Sequence, residues 1–455
     1  MKKLQHPQSS LAASPSLDVF SVLPTATGLK SFRLREIPCI HPLNDDGPYE
    51  IYVQSNFPIS LEMSRIYVKF RIFDSTGNPH PATKQVRQPN DTYLATPTEV
   101  VAPCQAFAKA LFHHATATVD GVTIEDIPLF HMKSFLEFEF STSGKLKEQM
   151  SRNLLYSTVD NGEDDDQNPG YLGRAALTHN GAAAEVYFRP ALALFQQDKL
   201  WLRNTELRLR FDRNPDSMLL DCHDANQARG GPTFKVKIDD LRLIVTEVDA
   251  EIQPVNHIES RLAAGAAACY NLRIAEMRSF HIPRDRNEYE VTLSNSATTP
   301  MRVAIAFVPN DSFHSQHKLS VFNFVPANIR QIDLLLSGVP VGYAAPYEND
   351  WARKNYLRLF TAHHDALGLG ERTGATNDIS YEAFGKNRCL YAWSISPNSE
   401  DACLNAMSSS ILSVKISFAA PVAQALMMVV YLEDTSVLQL SAGRKVITAN
   451  TVVHV

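Results

Sequence analysis

Nowhere in the 455 residues is there an apolar run of eighteen or more, so no transmembrane helix is expected. The opening Met1-Lys2-Lys3-Leu4-Gln5-His6-Pro7 passes from two lysines straight into polar residues, without the apolar segment of a secretory signal. A basic excess is missing too. Lysine and arginine total 43 against 49 aspartates and glutamates, a net charge of −6 with a pI near 6.2. Proteins that grip nucleic acid by charge carry a basic face or arm, so no specific nucleic-acid binding is expected. The six cysteines, Cys39, Cys104, Cys222, Cys269, Cys389 and Cys403, include no CxxC pair. Their scatter suits neither a thiolate zinc site nor a disulfide framework. The expectation is free, mostly buried thiols in a reducing compartment.

Catalytic signatures are equally scarce. There is no GxSxG elbow and no cysteine in a nucleophile motif. His113-His114 and His363-His364 are adjacent pairs, and neighbours diverge on a strand or a helix, so neither pair makes a two-ligand metal site by itself. Asp221-Cys222-His223-Asp224 holds three ligand types, but its polar surroundings read as a loop. Gly368-Leu369-Gly370-Glu371-Arg372-Thr373-Gly374 and Gly230-Gly231 lack the strand that a phosphate-cradling turn needs in front of it. The acidic run Glu163-Asp164-Asp165-Asp166 reads as a solvated loop, and the sequons at Asn90 and Asn310 are short enough to arise by chance. Only Trp201, Trp351 and Trp393 could serve as stacking platforms for sugars, and Trp393 alternates with Tyr391 and Ile395 as a core residue would. No catalytic, cofactor-binding or metal-binding residue is therefore expected, and the chain does not read as an enzyme.

What the sequence does hold is alternation of apolar and polar residues at period two, the mark of half-buried strands. Ile66, Val68, Phe70 and Ile72 share one face. The same pattern recurs at 207–211, 234–238, 289–293, 303–307, 391–395 and 412–418, with a further strand at 241–248. The run 425–432 is apolar on both faces, as a strand between two layers would be. Strands without regular β-α-β alternation indicate an all-β sandwich architecture. Helices are expected to be few and short. Candidates are 106–113, 258–268, a segment capped by Asp350 through His363, and more weakly 144–155, while 130–140 fits strand or helix. Two long loops, 74–103 with five prolines and 160–184, suit functional surfaces or mobile segments.

Length alone favours two domains of roughly 200 residues. A faint internal repeat says the same. Residues 115–122 read strand, glycine turn, strand around Gly121, and 331–339 do so around Gly338, 217 positions later. A second echo pairs 206–211 with 413–418, the phenylalanines 211 and 418 lying 207 apart. Similar offsets point to one β-domain built twice, divided near 251–257. The expected organisation is a flexible segment 1–17, a first domain 18–253, a second domain 254–445 and a tail 446–455.

Beyond pattern, several strings resemble the double-jelly-roll major capsid proteins of the Polinton/Maverick–adintovirus lineage, known as integrated elements in animal genomes. They are Val19-Phe20-Ser21-Val22-Leu23-Pro24, Asp46-Gly47-Pro48-Tyr49-Glu50-Ile51, Ile59-Ser60-Leu61 and the strand 65–73. In the second half they are 305–313, Ser320-Val321-Phe322-Asn323-Phe324 (where the family has Asn-Pro-Phe-Asn-Phe), 390–397, 414–418 and 429–433. The resemblance runs in patches from about residue 18 to 445 and is weakest in 74–103 and 160–184. It implies two tandem jelly-roll sandwiches, a pseudo-hexagonal homotrimer, and a hexon-like capsomer tiling an icosahedral shell around double-stranded DNA. Implied partners are neighbouring capsomers, a penton protein and minor capsid proteins, with no cofactor and no catalytic residue. The implied location is the virion, the protein being made in the host cytoplasm with the nucleus open as an assembly site.

Two other readings compete. One is a domesticated cellular copy of the capsid gene, which genomic neighbours would distinguish. The other is a jelly-roll protein that binds or hydrolyses carbohydrate, which glycan binding would favour and the internal duplication disfavours.

Overall fold

The computed structural model describes residues 28–449, apart from 45, 75–76, 78–84, 88–92, 96–99, 161–167, 224–233, 297, 315–319, 342–347, 371–373 and 396–409. The segment 1–17, the acidic run 163–166, Gly230-Gly231, Asn90 and Cys403 lie outside the described residues.

In the first half, β1 (Leu29–Pro38), β2 (Tyr49–Val53) and β3 (Ile59–Phe73) come first. A small pair, β4 (Gln85–Arg87) and β5 (Tyr93–Ala95), and then β6 (Val100–Pro103) and α1 (Phe107–Ala110) follow. A hairpin of β7 (Phe112–Val119) and β8 (Val122–Pro128) leads into α2 (Phe130–Ser141), α3 (Gly144–Gln149), α4 (Ser151–Leu154) and α5 (Pro169–Leu177). The half closes with β9 (Ala184–Phe188), β10 (Leu207–Arg213), α6 (Asp216–Leu219), β11 (Leu220–His223) and β12 (Lys235–Ala250). After α7 (Ile252–Ala263) come β13 (Ala268–Ile282), β14 (Glu288–Ser296), β15 (Arg302–Pro309), α8 (Asn310–Phe313), β16 (Ile329–Leu336) and β17 (Val339–Pro340). Then follow α9 (Leu357–Ala366), α10 (Tyr381–Phe384), β18 (Leu390–Ser394), β19 (Ser410–Phe418), β20 (Leu426–Leu440) and β21 (Val446–Ala449).

The sheets repeat. In the first half two four-stranded sheets run β1-β12-β3-β9 and β2-β10-β7-β8. In the second the orders are β13-β20-β15-β18, with β21 added on β20, and β14-β19-β16-β17. Numbering the eight strands of each half by their rank along the chain makes the two patterns identical, and every pairing is antiparallel. This is the jelly-roll arrangement, made twice. The two glycine turns seen in the sequence sit at the same place in each copy. Val119 pairs with Val122 across Asp120-Gly121, and Leu336 with Val339 across Ser337-Gly338. All four turn residues have positive φ (47°, 77°, 49° and 83°). A two-residue turn of this kind matches the twist of its strands and calls for glycine at the second place. The echo of 206–211 with 413–418 falls on β10 and β19, again equivalent strands.

Period-two patterns give the inner faces: Ile66, Val68, Phe70 and Ile72 on β3, Leu207, Leu209 and Phe211 on β10, and Leu412, Val414 and Ile416 on β19 are all buried. The stretches 234–238 and 241–248 are one strand, β12, broken in phase by a register shift opposite β3 between Ile238 and Asp240. Even positions point inward before the shift and odd positions (Leu241, Leu243, Val245) after it, because an extra residue flips the parity of a strand.

Helix limits differ from the sequence reading. The 106–113 candidate shrinks to α1, because Phe112 already belongs to β7. The 258–268 candidate moves forward to 252–263, where Pro254 sits in the first turn and sacrifices no intrahelical bond. Asp350 does not cap a helix to His363. It bridges Asn355 in a turn, and α9 starts at Leu357. The 144–155 stretch splits into α3 and α4 at Met150. Residues 130–140 are helical, with ten of the twelve side chains of α2 buried, which a helix surrounded by other elements requires.

That helix joins the halves. Phe135 stacks on Phe322 at 4.0 Å between ring centroids, and Phe140 meets Tyr431 edge-on at 5.6 Å. Truncating Phe135 to alanine should cost about 3–5 kcal/mol of unfolding free energy, read by chemical denaturation. A loss under about 1 kcal/mol would mean the helix is not a shared core element.

Candidate functional site

Three groups of buried charges surround α2. Glu139, 1% exposed, accepts from Lys147 Nζ at 2.9 Å and from the Tyr156 hydroxyl at 3.3 Å, with Arg388 Nη1 at 3.9 Å. Lys147 Nζ also donates to the Asn377 carbonyl at 2.9 Å, and Asn377 Nδ2 donates to His363 Nε2 at 3.2 Å. Burial pushes the Lys147 ammonium below its ordinary range, with Glu139 pulling it back. Two residues earlier, Glu137 pairs with Lys133 (2.8 Å) and takes Gln196 Nε2 (2.8 Å). Tyr431 donates to Glu433, which Arg302 Nη1 approaches to 3.2 Å. In the third group Arg174 reaches Asp160, Asp221, Gln105 and the Pro103 carbonyl. Burial lifts the Asp221 carboxyl to about 6 against the opposing pull of Arg174.

Within each group the charges pair with one another. Of these groups, Glu137, Arg302, Tyr431 and Glu433 also line a cleft. Breaking one member of such a pair leaves a bare buried charge.

The residues singled out in the sequence fall as follows. His113 and His114 lie on β7 and diverge as expected. His114 has a setting the sequence did not reveal: its Nδ1 is 3.0 Å from Asp212 and its Nε2 2.6 Å from Asp126. Strand pairing of β8, β7 and β10 makes that cluster. His363 is buried, whereas His364 Nδ1 bonds its own helix at the Phe360 carbonyl. Residues 221–223 are not a loop. Asp221 to His223 belong to β11, paired with β6, and Asp221 is committed to Arg174; Asp224 lies outside the described residues. Gly368 and Gly370 have positive φ and follow α9, and Gly370 bridges Ala375. Trp201 and Trp393 are buried, and Trp351, half-buried, donates to the Ile329 carbonyl and stacks on Tyr356 at 4.7 Å between ring centroids. No disulfide links the five described cysteines; Cys104 and Cys389 are buried, Cys269 exposed. Among the described residues no group of three His, Cys, Asp or Glu side chains could hold a metal ion. No described helix is long and apolar enough to cross a membrane.

Two clefts mark the junction of the halves. One of about 300 Å³ lies between β8 and β13, and one of about 670 Å³ is lined by α2, residues 196–199 and the strands β13 and β20. One edge of the first sandwich is β1, which pairs with β12 and with no second strand among the described residues. It shows Leu29, Phe32 and Leu34 at 54%, 56% and 67% exposure, and Arg33 and Arg35 behind them bind Glu247.

Lys147→Met should cost about 3–5 kcal/mol, because Glu139 is left buried without its nearest cation. The double variant with Glu139→Gln should recover much of that, as denaturant titrations of both will show. Acid should loosen the protein through two histidines. His131 has no hydrogen-bond partner on either ring nitrogen, and burial pushes both it and His363 down to about 3. The unfolded chain binds protons at both from about pH 6.5 downward, whereas the folded chain does not until near 3. Stability is thus intact above pH 6.5 and falls as the pH drops toward 3. Melting curves from pH 7 to 4 should show this slope, flattened in a His131→Leu, His363→Gln variant. An unchanged slope would assign the acid lability to other groups.

No family model and no curated protein matches the sequence. Solved structures do. A chain from the Sputnik virophage solved by cryo-EM is 11% identical, with a TM-score of 0.65, over 100% of this chain and 96% of that one. The mavirus major capsid protein is 10% identical, with a TM-score of 0.56, over 98% and 96%. The Faustovirus major capsid protein is 8% identical, with a TM-score of 0.59, over 95% and 93%. At such identities the likeness concerns the fold, and together with the repeated strand order it establishes that this chain is a double jelly roll.

Proposed function

We propose that this chain is a major capsid protein, a structural subunit and not an enzyme. The observation that carries the reading is the pair of complete, identically ordered sandwiches locked side by side by a buried helix. Its full-length likeness to capsid proteins of mavirus and Faustovirus supports it. Three copies would bring six barrels together as a pseudo-hexagonal homotrimer, a tile for an icosahedral shell around double-stranded DNA. On this reading 18–253 and 254–445 are the two units, and α7 carries the chain between them. The open apolar edge of β1 supports self-association, since an uncovered edge strand with outward apolar residues is a hazard in a lone subunit. We assign the chain to the Polinton/Maverick–adintovirus lineage, on the strings it shares with that family. Its partners are then neighbouring capsomers, a penton protein and minor capsid proteins, and its place is the virion.

Light scattering on the purified chain, with negative-stain imaging of the peak, tests this. A species near 152 kDa, three times 50.7 kDa, with a hexagonal outline is expected. A protein that remains monomeric at every concentration would defeat the reading.

A further inference from the structure

Inside the chain the two sandwiches meet edge to edge. One edge strand of a sheet in the first sandwich is β8, and one edge strand of a sheet in the second is β13. They face each other across the 300 Å³ cleft, with Ile124 and Ile127 from β8 and Ile274 and Met277 from β13 among its walls. Because the fold is made twice, each sandwich owns both kinds of edge. The first uses β8 and leaves β1 open. The second uses β13 and leaves β17 open. By strand order β1 is the counterpart of β13, and β17 is the counterpart of β8. Among the remaining edge strands, β1 and β17 are therefore the same kind of pair that already meets within one chain.

Both of these edges have the surface of a contact. Phe32 and Leu34 project from β1, and Val339 on β17 is 66% exposed. Arg33 and Arg35 are held by Glu247, itself 3% exposed and bonded to Ser55, so β1 is braced from behind. We propose that β1 of one copy docks against the β16–β17 hairpin of the next, repeating between copies the contact that β8 and β13 make within one. The contact joins two different surfaces, so it is head-to-tail, and such contacts close into a ring when the rotation allows. The proposal rests on the capsomer reading and supplies its interface.

Three full-length proteins test it by light scattering: wild type, the Phe32→Asp, Leu34→Asp variant, and Val339→Asp. All the substituted side chains are exposed in the single chain, so each variant should still melt in one cooperative transition, below the wild-type temperature because the contact between copies no longer stabilises the folded state. Each variant alone should fall to the monomer mass of 50.7 kDa. Mixed in equal amounts they should give a species of about 101 kDa, twice the monomer mass. The first still offers an intact β17 and the second an intact β1, so one contact forms and none follows. If β1 instead paired with β1, Val339→Asp alone would keep the wild-type mass, and the proposal would be overturned. A wild-type trimer unaffected by either variant also overturns it while sparing the capsomer reading. A wild type that never associates overturns that reading and the interface with it. Should the double β1 variant fail to fold, Val339→Asp and Leu34→Asp singly carry the same test.

Discussion

The rest of the structure depends on a helix with ten of its twelve side chains buried. Phe130–Ser141 carries four phenylalanines and also Lys133, Glu137 and Glu139, and nearly all are buried. Aromatic stacking against Phe322 and Tyr431 supplies apolar burial on the second sandwich. The charges cannot be buried without partners. Lys147 and Tyr156 from the first half, with Arg388 and the carbonyl of Asn377 from the second, meet that demand. Apolar contact holds the two bodies together, and the ion pairs admit few alternative placements.

The duplication explains where this seam comes from. Equivalent strands in the two halves repeat closely, down to the two-residue turns at Gly121 and Gly338. The connections that follow those hairpins do not repeat. The first holds α2 to α5, and the second holds α9 and α10. Both connections contribute to the seam, which shows how loops on a duplicated scaffold can diverge while strands keep the fold. Polar chemistry in this molecule is spent on fastening: Arg174 ties α5 to β11, and Arg203 and Arg444 hold Glu259 of α7.

Much of the scaffold was legible from residue types alone. Alternation located β3, β10, β14, β15 and β19, and the apolar run at 425–432 marked β20, whose residues Leu426 to Glu433 are all buried. Helix limits were less legible, because Ala106–Leu111 and Phe112 share an apolar character and only pairing with β10 makes Phe112 a strand residue. Polar composition made 221–224 look like loop. Its pairing with β6 and the Arg174 contact give that polarity an internal use. The bulge in β12 hid a single strand behind two patterns of opposite phase.

Residue order by itself determined the strand periodicity, the turn chemistry of the two hairpins and the fact of repetition, because each of these is settled within a few neighbouring residues. Tertiary structure alone decided which charges meet and which edges stay open. His114 finds Asp126 and Asp212 only through the register of three strands, and Lys147 reaches Asn377 across 230 positions of chain. Such partnerships depend on pairing and packing between distant segments, which local patterns do not encode.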